Sequence, residues 1–202
     1  MQPHMTSPQS HVIISRNVVL RMTLVIRKLT VFLSGLFFAA STAFASNTGV
    51  TLTLPLVVKD PGGLHGYRAS VWYQPESLVW QRVHIFFDAS FGEWWISGHV
   101  PNRQVNIYAL APTLRYYLRN DPYFRPFIDF SLGLSYLSKT RFDTRNLGMH
   151  FSFQDIIGIG TTLGKEQRLS ISFSAMHYSN GSTCRRNAGI TIPLLLNVGY
   201  RI

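Results

Sequence analysis

Leu169 to Ser179 reads LSISFSAMHYS, and its side chains alternate without a break. The odd positions hold Leu169, Ile171, Phe173 and Ala175, and the even ones Ser170, Ser172 and Ser174. A period of two predicts a strand with one apolar face and one small, polar face. His177 and Ser179 continue the apolar row. Residues i and i+2 of a strand point the same way, so an imidazole and a hydroxyl become neighbours on an apolar surface. A base beside a hydroxyl is the minimal pair for an activated serine nucleophile. What that pair can do depends on where the apolar row points.

The same alternation recurs along the chain. Val50, Leu52, Leu54, Leu56 and Val58 share one face, with Thr51, Thr53 and Pro55 opposite. Tyr67, Ala69, Val71 and Tyr73 alternate with Arg68, Ser70, Trp72 and Gln74, and Val83 to Phe91 and Ile128 to Tyr136 behave likewise. Residues 104–118 are ambiguous, because Tyr108, Leu110, Leu114 and Tyr116 compete with Val105, Ile107 and Ala109 for the apolar face. Phe151 to Thr162 and Ile190 to Ile202 complete about eight strands of roughly ten residues, the length that crosses a bilayer at a tilt.

The connections also alternate. Residues 74–77, 119–122 and 164–166 look like turns, whereas 59–66, 92–103, 138–150 and 180–189 are longer. Short turns at one end and longer loops at the other predict an all-β fold, an eight-stranded antiparallel outer-membrane β-barrel. The apolar rows then meet lipid and the small polar rows line a narrow interior. A soluble β-sandwich would put the polar rows in water, but those rows are Ser, Gly and Thr with few Lys or Glu. Aromatics near strand ends (Tyr67, Tyr73, Trp80, Trp94, Trp95, Tyr116, Tyr117, Tyr136 and Tyr200) fit interfacial girdles.

Composition agrees. Of 202 residues, 14% are charged and 13% aromatic, against about 25% charged in soluble domains. The formal charge is +10, of which Arg16, Arg21, Arg27 and Lys28 account for four, leaving +6 for the rest. That balance suits a membrane-embedded surface better than a nucleic-acid binder. Cys184 is the single cysteine, which excludes an internal disulfide and a cysteine-based zinc site. Neither a metal cluster nor a phosphate-cradling loop is visible, so no cofactor is expected.

Arg27 and Lys28 precede an apolar run from Leu29 to Ala40 and a small-residue site ending at Ala45. This order is that of a cleavable signal peptide, and the run is too short for a spanning helix. The expected division is a signal peptide over 1–45, with Met22 an alternative start, and a barrel over 46–202.

With both termini periplasmic, the seventh strand runs outward and ends at His177 and Ser179, on the lipid face near the outer-leaflet boundary. Taken singly, each residue also fits a plainer role, His177 in a girdle and Ser179 as a polar strand end. The surrounding motif is more specific. His177-Tyr-Ser179-Asn180-Gly181, followed by Asn187-Ala-Gly189-Ile190, resembles the lipid A 3-O-deacylase (PagL) family. So do Phe153-Gln154-Asp155-Ile-Ile-Gly158-Ile-Gly160 and Arg125-Pro126-Phe127-Ile128. The resemblance covers residues 48–202 and is strongest from Phe151 to Ile190.

That resemblance implies hydrolysis, without a metal, of the ester-linked 3-hydroxyacyl chain at the 3-position of lipid A. It implies Ser179 as nucleophile and His177 as general base, with Asn180 and Gly181 placed to offer donors to the oxyanion and Asn187 bracing the loop or adding a donor. The family pattern has a glutamate where this chain has Thr191, and the last strand carries no carboxylate. Loss of a triad acid costs on the order of 10⁴ in kcat. Asp155 is the candidate substitute, because a turn centred near Glu166 sets it across from His177 on the outward face. The alternative has Asp155 turned inward against an arginine.

Lipopolysaccharide of the outer leaflet is the expected partner, with a homodimer as a further candidate. Lys59, Arg68, Arg103, Lys139, Arg141, Arg145, Arg185 and Arg186 cluster in the expected outer loops, where lipid A carries phosphates. Two other readings fit the sequence: a structural barrel that has lost its acid, and an esterase of other outer-leaflet lipids.

Overall fold

Eight amphipathic strands can satisfy all their backbone groups without water only by closing on themselves, and this chain does so. The computed structural model describes residues 47–59, 61–98 and 102–202. The expected signal peptide, the cut after Ala45 and the alternative start at Met22 lie outside the described residues. The strands are β1 (Thr48–Val57), β2 (Leu64–Tyr73), β3 (Val83–Ile96), β4 (Gln104–Tyr117), β5 (Phe124–Leu137), β6 (Phe151–Leu163), β7 (Leu169–Ser179) and β8 (Ile190–Arg201). Each pairs antiparallel with its chain neighbour, and β1 pairs with β8 to close the ring.

Strand parity decides which side chains face out. Leu110, Leu132, Leu134, Ile157 and Ile159 are more than half exposed, as a lipid-facing belt requires. Their strand neighbours Ala109, Ala111, Ser131, Ser135 and Gly158 turn in. The ambiguity over 104–118 has a physical cause, since β4 is apolar on both faces. Tyr108, Leu110, Leu114 and Tyr116 point out, while Val105 and Ile107 are fully buried inside.

The interior is not uniformly small and polar, and here the sequence reading needs correction. Its long-loop half is an apolar plug that includes Leu64, Trp94, Ile107, Met176, Tyr178 and Ile192. Phe142 and Leu147, from the loop between β5 and β6, close it from above. Trp94, expected in a girdle, is wholly buried in this plug, because it shares the parity of His84 and Phe86. Tyr117 is likewise interior, packed edge-on to His84 and Phe127. Tyr67 keeps the outward parity but is covered there, packed on Phe91 with its hydroxyl donating to Glu93. Tyr73, Trp80, Tyr116, Tyr136 and Tyr200 are exposed girdle residues.

Toward the short-turn end the lumen carries ion pairs. Arg68 pairs with Asp88, and Arg115 pairs with Asp129 at 2.8 Å. Arg68 is not in an outer loop, where the sequence reading sets it; its even parity, shared with Ser70, puts it inside. These pairs border a cavity of about 90 Å³ lined also by Ser172, Ser174 and Asn197. The connections differ in length less sharply than expected: 58–63 and 97–103 are short, while the expected turn at 74–77 opens into a connection over 74–82. The two longest, 138–150 and 180–189, share the end that carries His177 and Ser179.

Candidate active site

Two neighbouring strands and one loop build the surroundings of His177. It lies opposite Asp155 of β6 on one side and Thr191 of β8 on the other. Directly paired residues share a face, so His177, Asp155 and Thr191 all point outward. The even positions Met176 and Tyr178 are buried in the plug, which fixes the parity of β7 from within. Ser179 is on the same outward row, opposite Phe153. Both members of the pair are half-buried.

The ring leans toward β8. Its Nδ1 makes a 2.8 Å hydrogen bond with Thr191 Oγ1. Its other edge lies over Gly189, where a Cβ would come within 3.1 Å of Cε1 and 3.6 Å of Nε2. Gly189 has φ +61°, so glycine is needed here both for the backbone and for the room it leaves the ring. Gly189 follows the long loop and sits level with Ser179, since Tyr178 pairs with Ile190. The Nδ1 edge is thereby held low on β8 and the Nε2 edge is turned up toward the serine's level. No hydrogen bond joins Ser179 Oγ to the ring in this structure; nucleophile–base contacts commonly tighten only with substrate bound.

Asp155 is on the outward face, as the turn centred near Glu166 implied. Its carboxylate makes no hydrogen bond or ion pair among the described residues, and it does not touch the imidazole. The structure thus brings Asp155 beside His177 without bonding them. Thr191 makes the contact instead, a role that the residue type did not announce. A sequence signal existed in Pro193. Proline cannot donate to the ladder and so favours a bulge, although Pro112 and Pro126 sit in strands of regular register here. The β7–β8 register does shift between Ser174 and Met176, with an extra residue on β8 around Pro193 and Leu194.

The loop after Ser179 is held by side chains. Asn180 is buried, and its Nδ2 donates to Leu147 O at 3.1 Å and Arg186 O at 2.7 Å. Its backbone N–H donates to Asn187 Oδ1 at 3.0 Å. Arg145 adds a tie, donating to Ala188 O at 3.0 Å and Gly189 O at 3.3 Å. Ser152 Oγ donates to Ser179 O at 2.9 Å and pins the end of β7 to β6. Asn180, expected to offer donors to the oxyanion, therefore has its backbone N–H and Nδ2 engaged instead as a brace. The backbone N–H of Gly181 makes no hydrogen bond among the described residues, and Gly181 (φ +60°) rides over the Phe153 ring, where a Cβ would fall 2.8 Å from it. Among the described residues, no three His, Cys, Asp or Glu side chains gather as a metal site would require.

Comparison with known proteins sets this arrangement in context. The lipid A deacylase PagL of Pseudomonas aeruginosa is 30% identical over 128 residues, 61% of this chain and 71% of its own. The lipid A deacylase PagL of Bordetella bronchiseptica is 26% identical over 167 residues, 79% of this chain and 88% of its own. The crystal structure of the outer membrane enzyme PagL superposes with a TM-score of 0.62 at 25% identity, covering 76% of this chain and 99% of that one. The model of lipid A 3-O-deacylase (PagL) matches residues 63–201. This chain therefore belongs to the lipid A 3-O-deacylase (PagL) family.

Proposed function

We propose that this barrel, seated in the outer membrane, removes the ester-linked 3-hydroxyacyl chain from the 3-position of lipid A by serine catalysis. The observation that carries the reading is the outward projection of His177 and Ser179 from the end of β7. A hydrolytic pair in that place meets acyl chains from the side and has water above it. Ser179 Oγ attacks the acyl carbonyl while His177 Nε2 takes its proton. The tetrahedral oxyanion collapses with cleavage of the ester C–O bond, and His177 returns the proton to the departing sugar oxygen. Water then releases the fatty acid from Ser179 by the same route.

The oxyanion needs preorganised donors. The Gly181 N–H, which has no partner among the described residues, can serve, and the Asn187 amide can present its Nδ2 once Oδ1 is held by the Asn180 N–H. Asn180 supports both by fixing the loop. Asp155 is the one carboxylate on β6, β7 or β8, and its charge opposite His177 favours the imidazolium formed during attack. Lys59, Arg103, Lys139, Arg141, Arg185 and Arg186 are exposed at the long-loop end and suit the phosphates of lipid A.

Mass spectrometry of lipid A from cells expressing the chain, beside Ser179→Ala, tests this reading. The expected result is loss of one hydroxyacyl mass that depends on Ser179. Unchanged lipid A with fatty acid released from phospholipid would make it an esterase of other lipids. No change in any lipid would make it a structural barrel.

A further inference from the structure

Thr191 stands where the resemblance to the family implies a glutamate, which leaves open what orients His177. We propose that the Thr191 hydroxyl is the positioning residue of the hydrolytic pair, aimed at the ring by the bulge around Pro193 and Leu194. This rests on the reading of Ser179 and His177 as nucleophile and base.

The register shows how the placement arises. Below the bulge, Ser174 pairs with Leu195 and Leu169 with Tyr200; above it, His177 pairs with Thr191. Continued without the extra residue, the lower register would set Ile192 opposite His177, outward. The bulge instead turns Ile192 fully into the plug and brings Thr191 out beside the ring. Bulges near sites commonly re-aim a side chain in this way.

In the competent tautomer, Nδ1–H donates to Thr191 Oγ1 across the observed 2.8 Å, and Nε2 keeps its lone pair for the serine proton. The neighbours of the ring are consistent with that assignment. Gly189 leaves the Nε2 edge room on the β8 side, and Asp155 faces His177 from β6 without contact. Two tasks that one carboxylate performs in a serine triad are thus divided: Thr191 orients the ring, and Asp155 contributes charge. A hydroxyl can donate as well as accept, whereas an ionised carboxylate only accepts. Thr191 therefore holds the competent tautomer less firmly than a glutamate does.

The test is the steady-state kinetics of lipid A deacylation by the purified, folded barrel and its Thr191 variants. Thr191→Val, which keeps the shape and removes the hydroxyl, is expected to lower kcat about tenfold with KM unchanged, the loss of one orienting hydrogen bond. Thr191→Ser is expected to stay within about threefold of the parent, and Thr191→Glu to exceed it. Wild-type kcat in Thr191→Val would overturn the inference, as would a loss in Thr191→Ser equal to that in Thr191→Val. A Thr191→Glu variant that folds but fails to gain would overturn it too, and that readout stands if the valine variant does not fold. Ser179→Ala run alongside separates the two levels: if it remains active, the nucleophile reading fails; if it is dead while Thr191→Val is unaffected, only the role of Thr191 fails.

Discussion

Toward the short-turn end, the lumen holds Arg68 with Asp88 and Arg115 with Asp129, and the Arg115 guanidinium lies 3.5 Å from the Phe127 ring centroid. At the long-loop end the same lumen holds Trp94, Tyr178, Ile190 and Ile192 in contact, with Phe142 and Leu147 folded over them. The same strands run through both halves, with one-residue register shifts around Pro193 and near Pro55, so the difference lies mainly in side chains. A close-packed apolar filling fixes parity residue by residue, because a misplaced side chain loses its contacts outright. It lies directly behind His177 and Ser179, whose buried neighbours Met176 and Tyr178 belong to it. The charged half borders a cavity of about 90 Å³, and no candidate catalytic residue lies there.

If the plug is what holds the site, its removal should cost most. Trp94→Ala is expected to destabilise the barrel by about 3–5 kcal/mol, as for buried aromatics elsewhere, measured by urea unfolding of the folded form in vesicles. In the charged half, Arg115→Met strands Asp129 and is expected to cost about 2 kcal/mol. The double variant Arg115→Met, Asp129→Leu should recover most of that loss, because an apolar pair can replace a buried ion pair. A double variant no better than the single one would show that the two halves are stabilised in more similar ways than this comparison holds.

Smaller effects sharpen the boundary between plug and site. Asn180→Ala loses its bonds to the Leu147 and Arg186 carbonyls and is expected to cost about 1 kcal/mol. Deacylation should fall further than that loss of stability explains, since the loop bearing Gly181 and Asn187 is released. Asp155→Asn leaves the fold unchanged and should lower kcat about threefold to tenfold, a through-space charge effect at a partly exposed site. Unchanged kcat would remove Asp155 from the account.

Much of this was legible in the chain. The period of two in LSISFSAMHYS gave the strand, its outward row and the proximity of His177 to Ser179. The Glu166-centred turn placed Asp155 across from His177. The failures came where position near a strand end was weighed above parity. Trp94 and Arg68 sit at even positions beside other inward residues, and both are interior. The 104–118 segment could not be resolved by pattern, since lipid and plug both demand apolar side chains there. The contacts of Asn180 reach Leu147, a long way off in sequence, and local spacing carries no trace of them. Thr191 needed the bulge, which Pro193 signalled but whose one-residue shift no periodicity measures.

The account depends most on Ser179 being a nucleophile activated by His177 on the outer wall. Treating the folded barrel with an alkyl fluorophosphonate and locating the adduct by peptide mass spectrometry reads that directly. The account predicts modification at Ser179 that is lost in His177→Ala. Labelling at another residue, or labelling of Ser179 that is indifferent to His177, would contradict it.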